Sequence, residues 1–215
     1  TGLALGALVS GGMARHLAAL LGPTKVVRVG MALEIVGILG TAMVLAPTRS
    51  PWWLMGPLFV YGIGLGLASA QLTSVVLEDV PPDKSGRASA MTSTFRQLGS
   101  ALGSAILGSV LFAGLGHFMT VDLKGVSNLP EAQQQQIVDT VKGSSGQAIL
   151  KLAKVPGLGP EVEAARSGYT TAAKDTAYVA ALFVLMGLLV SFGLPKDEQA
   201  NADASAVDEL AAQPS

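Results

Sequence analysis

The sequence predicts an all-α polytopic membrane protein, and three observations carry that prediction. Half of the 215 residues are hydrophobic and 13% are charged, with a mean hydropathy of +0.50; soluble domains carry roughly 25% charged residues. Four runs are long and apolar enough to cross a hydrocarbon core as a helix, which takes about 20 residues. Finally, Tyr61 to Gly114 joins two Gly- and Ser-rich apolar runs through a short charged hinge, EDVPPDKSGR. Neither run has the polar face a helix needs in water. In lipid, small residues let helices pack closely where water gives no hydrophobic drive.

The elements follow in order. The apolar start, Thr1–Met13, is short for a crossing and fits the end of a truncated first span (1–13). The chain opens inside this run without Met or a signal-peptide n-region, which reads as the C-terminal part of a longer protein. The second span, 26–46, is broken only by Arg28 and Glu34. The third, 52–77, is uncharged. The fourth starts at 88 and runs to about 114, with Arg96 as its one charge, and the fifth, 176–194, is uncharged. Pro47 and Pro51 bracket one turn, Pro81 and Pro82 another, and Pro195 closes the last span. Together these predict a bundle over 1–195.

Loop charge predicts direction. Arg15, Lys25 and Arg28, without an acid among them, mark a cytoplasmic connection, and Lys84 and Arg87 mark the next one. APTRSPWW between them reads as an outside turn with interfacial Trp. The stretch 115–175 is then an extracytoplasmic loop. It has two weakly amphipathic pieces, Pro130–Lys142 and Gln147–Val155, joined by GSSG, and is expected to form a partly helical cap without chemistry of its own. The tail, 196–215, is polar and Ala-rich and is expected to be disordered and cytoplasmic.

Several function classes fall away. A net charge of −1 offers no basic field for nucleic acid. There is no Cys, and the two histidines, His16 and His117, lie in different segments, so no metal site is expected. No GxSxG, Walker A or EF-hand pattern occurs, so neither catalytic residues nor a cofactor are expected, and an ATP-driven pump would need a nucleotide domain.

Three pieces carry a resemblance: GIGLGLASAQLT from Gly62, the loop VPPDKSGRASA, and TFRQLGSALGSAI from Thr94 to Ile106. With the short basic stretch GGMARHLAALLGPTKVVRVGMAL upstream, they resemble the major facilitator superfamily, and within it the fourteen-span drug:proton antiporters of the EmrB/QacA type. The resemblance implies a partial C-terminal half of about five spans, in the plasma membrane. It implies proton-coupled export of hydrophobic or cationic small molecules, with the lipid bilayer, the small-molecule substrate and the absent N-terminal half as partners. Gly11-Gly12-Met13-Ala14-Arg15 is followed by His16 rather than the acid of the superfamily signature, which weakens a gating role for that loop; Arg15 remains a candidate contact to the other half. The alternative is a non-transporting membrane scaffold or partner subunit that binds through its outside loop.

By resemblance the third span lines a central cavity. Tyr61, Gly64, Ala68, Gln71 and Ser74 recur at helical spacing, and Gly62, Gly66, Ser69 and Thr73 form an adjacent small face. Tyr61, Gln71 and Ser74 are the candidate substrate pathway; the other reading is that Gln71 and Ser74 hydrogen-bond between helices. Glu34 is the one acid well inside a span and a candidate for proton coupling, or else a structural partner of Arg28, roughly 9 Å away along the helix. Arg96 is expected to anchor its helix, by snorkelling or through Glu78 or Asp79. Gly99 and Gly103, with Ser100, Ser104 and Gly108, form a small-residue seam, suited to tight packing or to sliding between halves.

Overall fold

The computed structural model describes residues 2–77, 80–126 and 130–193. Among them 88% are helical and none is in a strand. Seven helices follow in order: α1 (Gly2–Leu21), α2 (Pro23–Val44), α3 (Met55–Leu77), α4 (Ser85–Val126), α5 (Glu131–Gly143), α6 (Ala148–Leu152) and α7 (Gly159–Ser191). Five of these, α1, α2, α3, α4 and α7, are long and apolar enough to cross a membrane. The chain is therefore an all-α polytopic bundle. The expected tail, 196–215, lies outside the described residues.

The first helix differs from expectation. Arg15 and His16 end the apolar run at Met13, but both side chains are exposed and the helix passes through them to Leu21. It ends at Gly22, whose φ of +85° only glycine adopts freely and whose N–H donates to the Ala18 carbonyl at 2.9 Å. Pro23, with no N–H to satisfy, then opens α2.

The chain divides into two compact units, the first made of residues up to Gly37, Met55–Phe95 and the segment from Leu182, the second of Ile38–Leu54 and Arg96–Ala181. In the first unit, contacts rise together along α1 and α3. A Cβ added at Gly2 would meet the Met55 backbone, one at Gly6 the Phe59 carbonyl, one at Gly62 the Leu3 carbonyl, and one at Gly66 the Ser10 hydroxyl. These helices are therefore parallel, held at near backbone contact by glycine. Against α3, α2 runs antiparallel: a Cβ at Gly30 would lie 2.7 Å from the Ala68 nitrogen, and one at Gly37 would lie 2.6 Å from Tyr61 Cβ. Ala14, Val26 and Leu67 are buried where the three helices meet.

The second unit is built differently. Leu115, Met119 and Leu123 of α4 are fully buried with Val138 and Val141 of α5, Ile149 of α6 and Ala165 and Ala172 of α7. The stretch expected to be an outside loop with a partly helical cap, 115–175, is more helical than that: α4 continues to Val126, and α7 begins at Gly159 rather than near Thr176. At 42 residues α4 is about 63 Å long, twice a hydrocarbon core of about 30 Å. α5 and α6 fall on the two amphipathic pieces read from sequence. Between them Gly146, at φ +89°, donates its N–H to the Val141 carbonyl and packs under the Tyr169 ring. The Ser144 hydroxyl accepts the Ala148 N–H at 2.9 Å and so caps α6.

Candidate functional site

The candidate pathway residues all lie on α3, and the structure divides them between two neighbours. Tyr61 and Gly64 face α2, where Gly37 meets the Tyr61 backbone and Glu34 packs against Gly64. Gln71 faces α1: it is buried, and its Nε2 donates to the Ala14 carbonyl at 3.2 Å. Ser74 is exposed at the end of the helix. Ten residues at 100° each leave Tyr61 and Gln71 about 80° apart, enough to point them at different helices. Of the adjacent small face, Gly62 and Gly66 pack on α1, while Ser69 and Thr73 are exposed.

Gln71 and Ser74 do come together, with residues that sequence reasoning had not assembled. Beyond the glycine contacts, α1 and α3 leave an open vestibule of about 470 Å³, lined by Ala14, Arg15 and Ala18 from one helix and Ala70, Gln71 and Ser74 from the other. The signal for it was present in Gly11, Ala14, Arg15 and Ala18, spaced at helical intervals with a single long side chain among small ones. Its chemistry is that of a small polar chamber: one guanidinium, one hydroxyl and one amide between short apolar walls.

Glu34 lies at the α2–α3 contact, on the same α2 face as Gly30 and Gly37 and beside Tyr61. Its alternative role, pairing with Arg28, gives way to a different contact. Arg28 Nε and Nη2 donate to the Ser191 carbonyl at 3.2 and 2.8 Å, and the guanidinium sits 5.0 Å from the Phe192 ring centroid. Arg28 thus caps the end of α7, where unsatisfied carbonyls attract a cation. No sequence pattern points to a contact 163 residues away.

The α4 residues stand apart from both features. Arg96, Gly99, Ser100 and Ser104 are exposed, and a Cβ at Gly99, Gly103 or Gly108 would meet no atom within 4 Å. The hydroxyls along this helix are satisfied within it: Ser104 Oγ donates to the Ser100 carbonyl at 2.7 Å and Ser109 Oγ to Ala105 at 2.8 Å, as a helix in lipid requires. Glu78 and Asp79, the candidate partners of Arg96, lie outside the described residues. Among the described residues no three His, Asp or Glu come together as metal ligands.

Five helices are long and apolar enough to cross a membrane, and three of them, α1, α2 and α3, pack through glycine beside a small polar vestibule. The sequence profile of the Major Facilitator Superfamily matches residues 1–104, from α1 to the middle of α4, and through this segment the chain is similar to that family of transporters. The chain is similar to Multidrug resistance protein Stp of Mycobacterium tuberculosis, 28% identical over 123 residues that cover 57% of the chain and 22% of the relative. Riboflavin transporter RibZ of Clostridioides difficile is 38% identical over 80 residues, covering 37% of the chain and 16% of the relative. A probable actinorhodin transporter of Streptomyces coelicolor is 31% identical over 93 residues, covering 43% and 16%. The matched stretches thus span about a fifth of these relatives or less. No solved structure matches the chain.

Proposed function

We propose that the chain is part of a proton-coupled exporter of hydrophobic or cationic small molecules, a multidrug-type antiporter of fourteen spans in the plasma membrane. In this reading it works with further spans that form the other half of the cavity. The observation that carries it is a coincidence of position. The segment that matches the transporter family is also the one whose helices bring Gln71 and Ser74 to an open vestibule. Relatives named as multidrug resistance, riboflavin and actinorhodin transporters support movement of small organic molecules. Arg15, Lys25 and Arg28 lie at the vestibule end of α1 and α2, and the positive-inside rule supports a cytoplasmic side for that end; α7 ends beside Arg28, which supports the same side for the end of that helix. In this mechanism substrate enters the vestibule past Ser74 and Gln71, and Glu34, inside the α2–α3 contact, is the proton-coupling group. Proton entry supplies roughly 2.3 kcal/mol per charge per 100 mV.

The test uses the whole transporter in cells, measuring accumulation of a fluorescent cationic dye with and without an uncoupler. Gln71→Leu is expected to cut efflux or narrow substrate range, and an unchanged profile removes Gln71 from the pathway. Glu34→Gln is expected to abolish the dependence of efflux on external pH; normal pH dependence excludes it from coupling. A second reading, a non-transporting partner subunit, is favoured by the buried core that α5 and α6 share with α4 and α7. It requires that dye accumulation be the same with and without the protein.

A further inference from the structure

The vestibule between α1 and α3 has a wedge, a charge and room beside that charge. Up to Ser10 and Gly66 the two helices touch through glycine and small side chains. At the next turn Gln71 stands between them and reaches the Ala14 carbonyl, and the helices no longer fill the space they enclose. Ala14, Ala18 and Ala70 are too short to occupy it. Arg15 lines it from α1 and Ser74 from α3, both exposed, and no acidic side chain is among the described lining residues. The other arginine at this end, Arg28, is engaged by the Ser191 carbonyl and the Phe192 ring.

A guanidinium near the edge of a bilayer draws an anion to it, since a charge is costly there without a partner. Its planar fork matches the two oxygens of a carboxylate or phosphate. We propose that this vestibule is an anion site, taking one phosphate or carboxylate group against Arg15, with the Ser74 hydroxyl as a further donor and Gln71 as the floor. The group comes either from a lipid headgroup or from a small soluble anion; in the orientation proposed above, on which the lipid source rests, the vestibule lies at the cytoplasmic end, where anionic headgroups gather and attract basic side chains. A bound anion cancels the one charge of the vestibule, which removes a repulsion that a cationic molecule passing Ser74 would otherwise meet.

Binding is read without any transport assay, so its outcome is independent of the exporter reading. The full chain is placed in phosphatidylcholine nanodiscs doped with phosphatidylglycerol, and retained phosphatidylglycerol is counted by native mass spectrometry. Arg15→Gln is expected to lower retention roughly fivefold, the effect of one basic residue at headgroup level. Arg15→Lys keeps part of it, and Ser74→Ala loses less than Arg15→Gln. In a second arm, discs of phosphatidylcholine alone are titrated with inorganic phosphate. Arg15-dependent binding in the first arm identifies a lipid headgroup, and in the second arm alone a soluble anion. Equal binding by the parent chain and Arg15→Gln in both arms, with helical circular dichroism unchanged, overturns the proposal. So does binding that appears only after Glu78→Gln and Asp79→Asn, because an acid of the chain itself would then already occupy Arg15.

Discussion

In the unit formed by α1, α2 and α3, the contacts are made by Gly6, Gly30, Gly37, Gly62 and Gly66, while Leu8 and Leu20 are 76% and 72% exposed. In the unit that holds α5 and α6, Leu115, Met119 and Leu123 are fully buried, and Gln133, Gln135 and Gln136 are exposed. The same side-chain types thus take opposite positions in one chain. Such a difference is what two different solvents would produce. Where lipid surrounds a helix, a buried leucine gains nothing over an exposed one, and association relies on close backbone approach. Where water surrounds it, removing apolar area is worth about 25 cal/mol per Å² and the large residues go inside. By their packing, α5, α6 and the ends of α4 and α7 beside them form a cap with a core of large apolar side chains, and α1 to α3 a bundle joined through glycine.

Substitutions test that contrast directly. The largest effect is expected for Leu123→Ala, which opens a cavity in the cap and should cost about 2–5 kcal/mol. Hydrogen exchange would record it as lost protection in α5 and α6. The same Leu→Ala change at Leu8 should cost little, and equal costs at the two sites would break the contrast. Next is Gly62→Ala. One methyl there meets the Leu3 backbone, which cannot move without parting α1 from α3. A loss of about 1–3 kcal/mol is expected, seen as a lower thermal midpoint in detergent, whereas a tolerated alanine would mean that the glycines are not what joins these helices. The smallest effect is a gain. Gly99→Ala, where a Cβ has open space, should stabilise the chain by about 0.5–1 kcal/mol through helix propensity. Destabilisation instead would reveal a partner seated on the α4 seam.

Much of this was legible in advance. An uncharged run such as 52–77 has few alternatives to a membrane helix, and the proline-marked turns delimit it. Two misreadings have physical causes. Ending the first span at Met13 treated Arg15 as a break, whereas a long basic side chain near a helix end reaches outward without interrupting the backbone. Ending the fourth span near 114 and starting the fifth at 176 equates the end of hydrophobicity with the end of helix, whereas α4 runs to Val126 and α7 starts at Gly159. Leu115, Met119 and Leu123 at i, i+4 and i+8 mark an amphipathic helix continuing beyond the apolar run.

The sequence by itself determined that the chain is helical, how many helices can cross a membrane and where they turn. These depend on local hydrophobicity and on proline and glycine chemistry, which act within a few residues. Only the tertiary structure decided the neighbours: Gln71 with Ala14, Glu34 with Gly64, Arg28 with Ser191. A helix of small residues presents several nearly equivalent faces. Which one is buried depends on whose backbone approaches it, and that is a property of pairs of helices, not of either sequence alone.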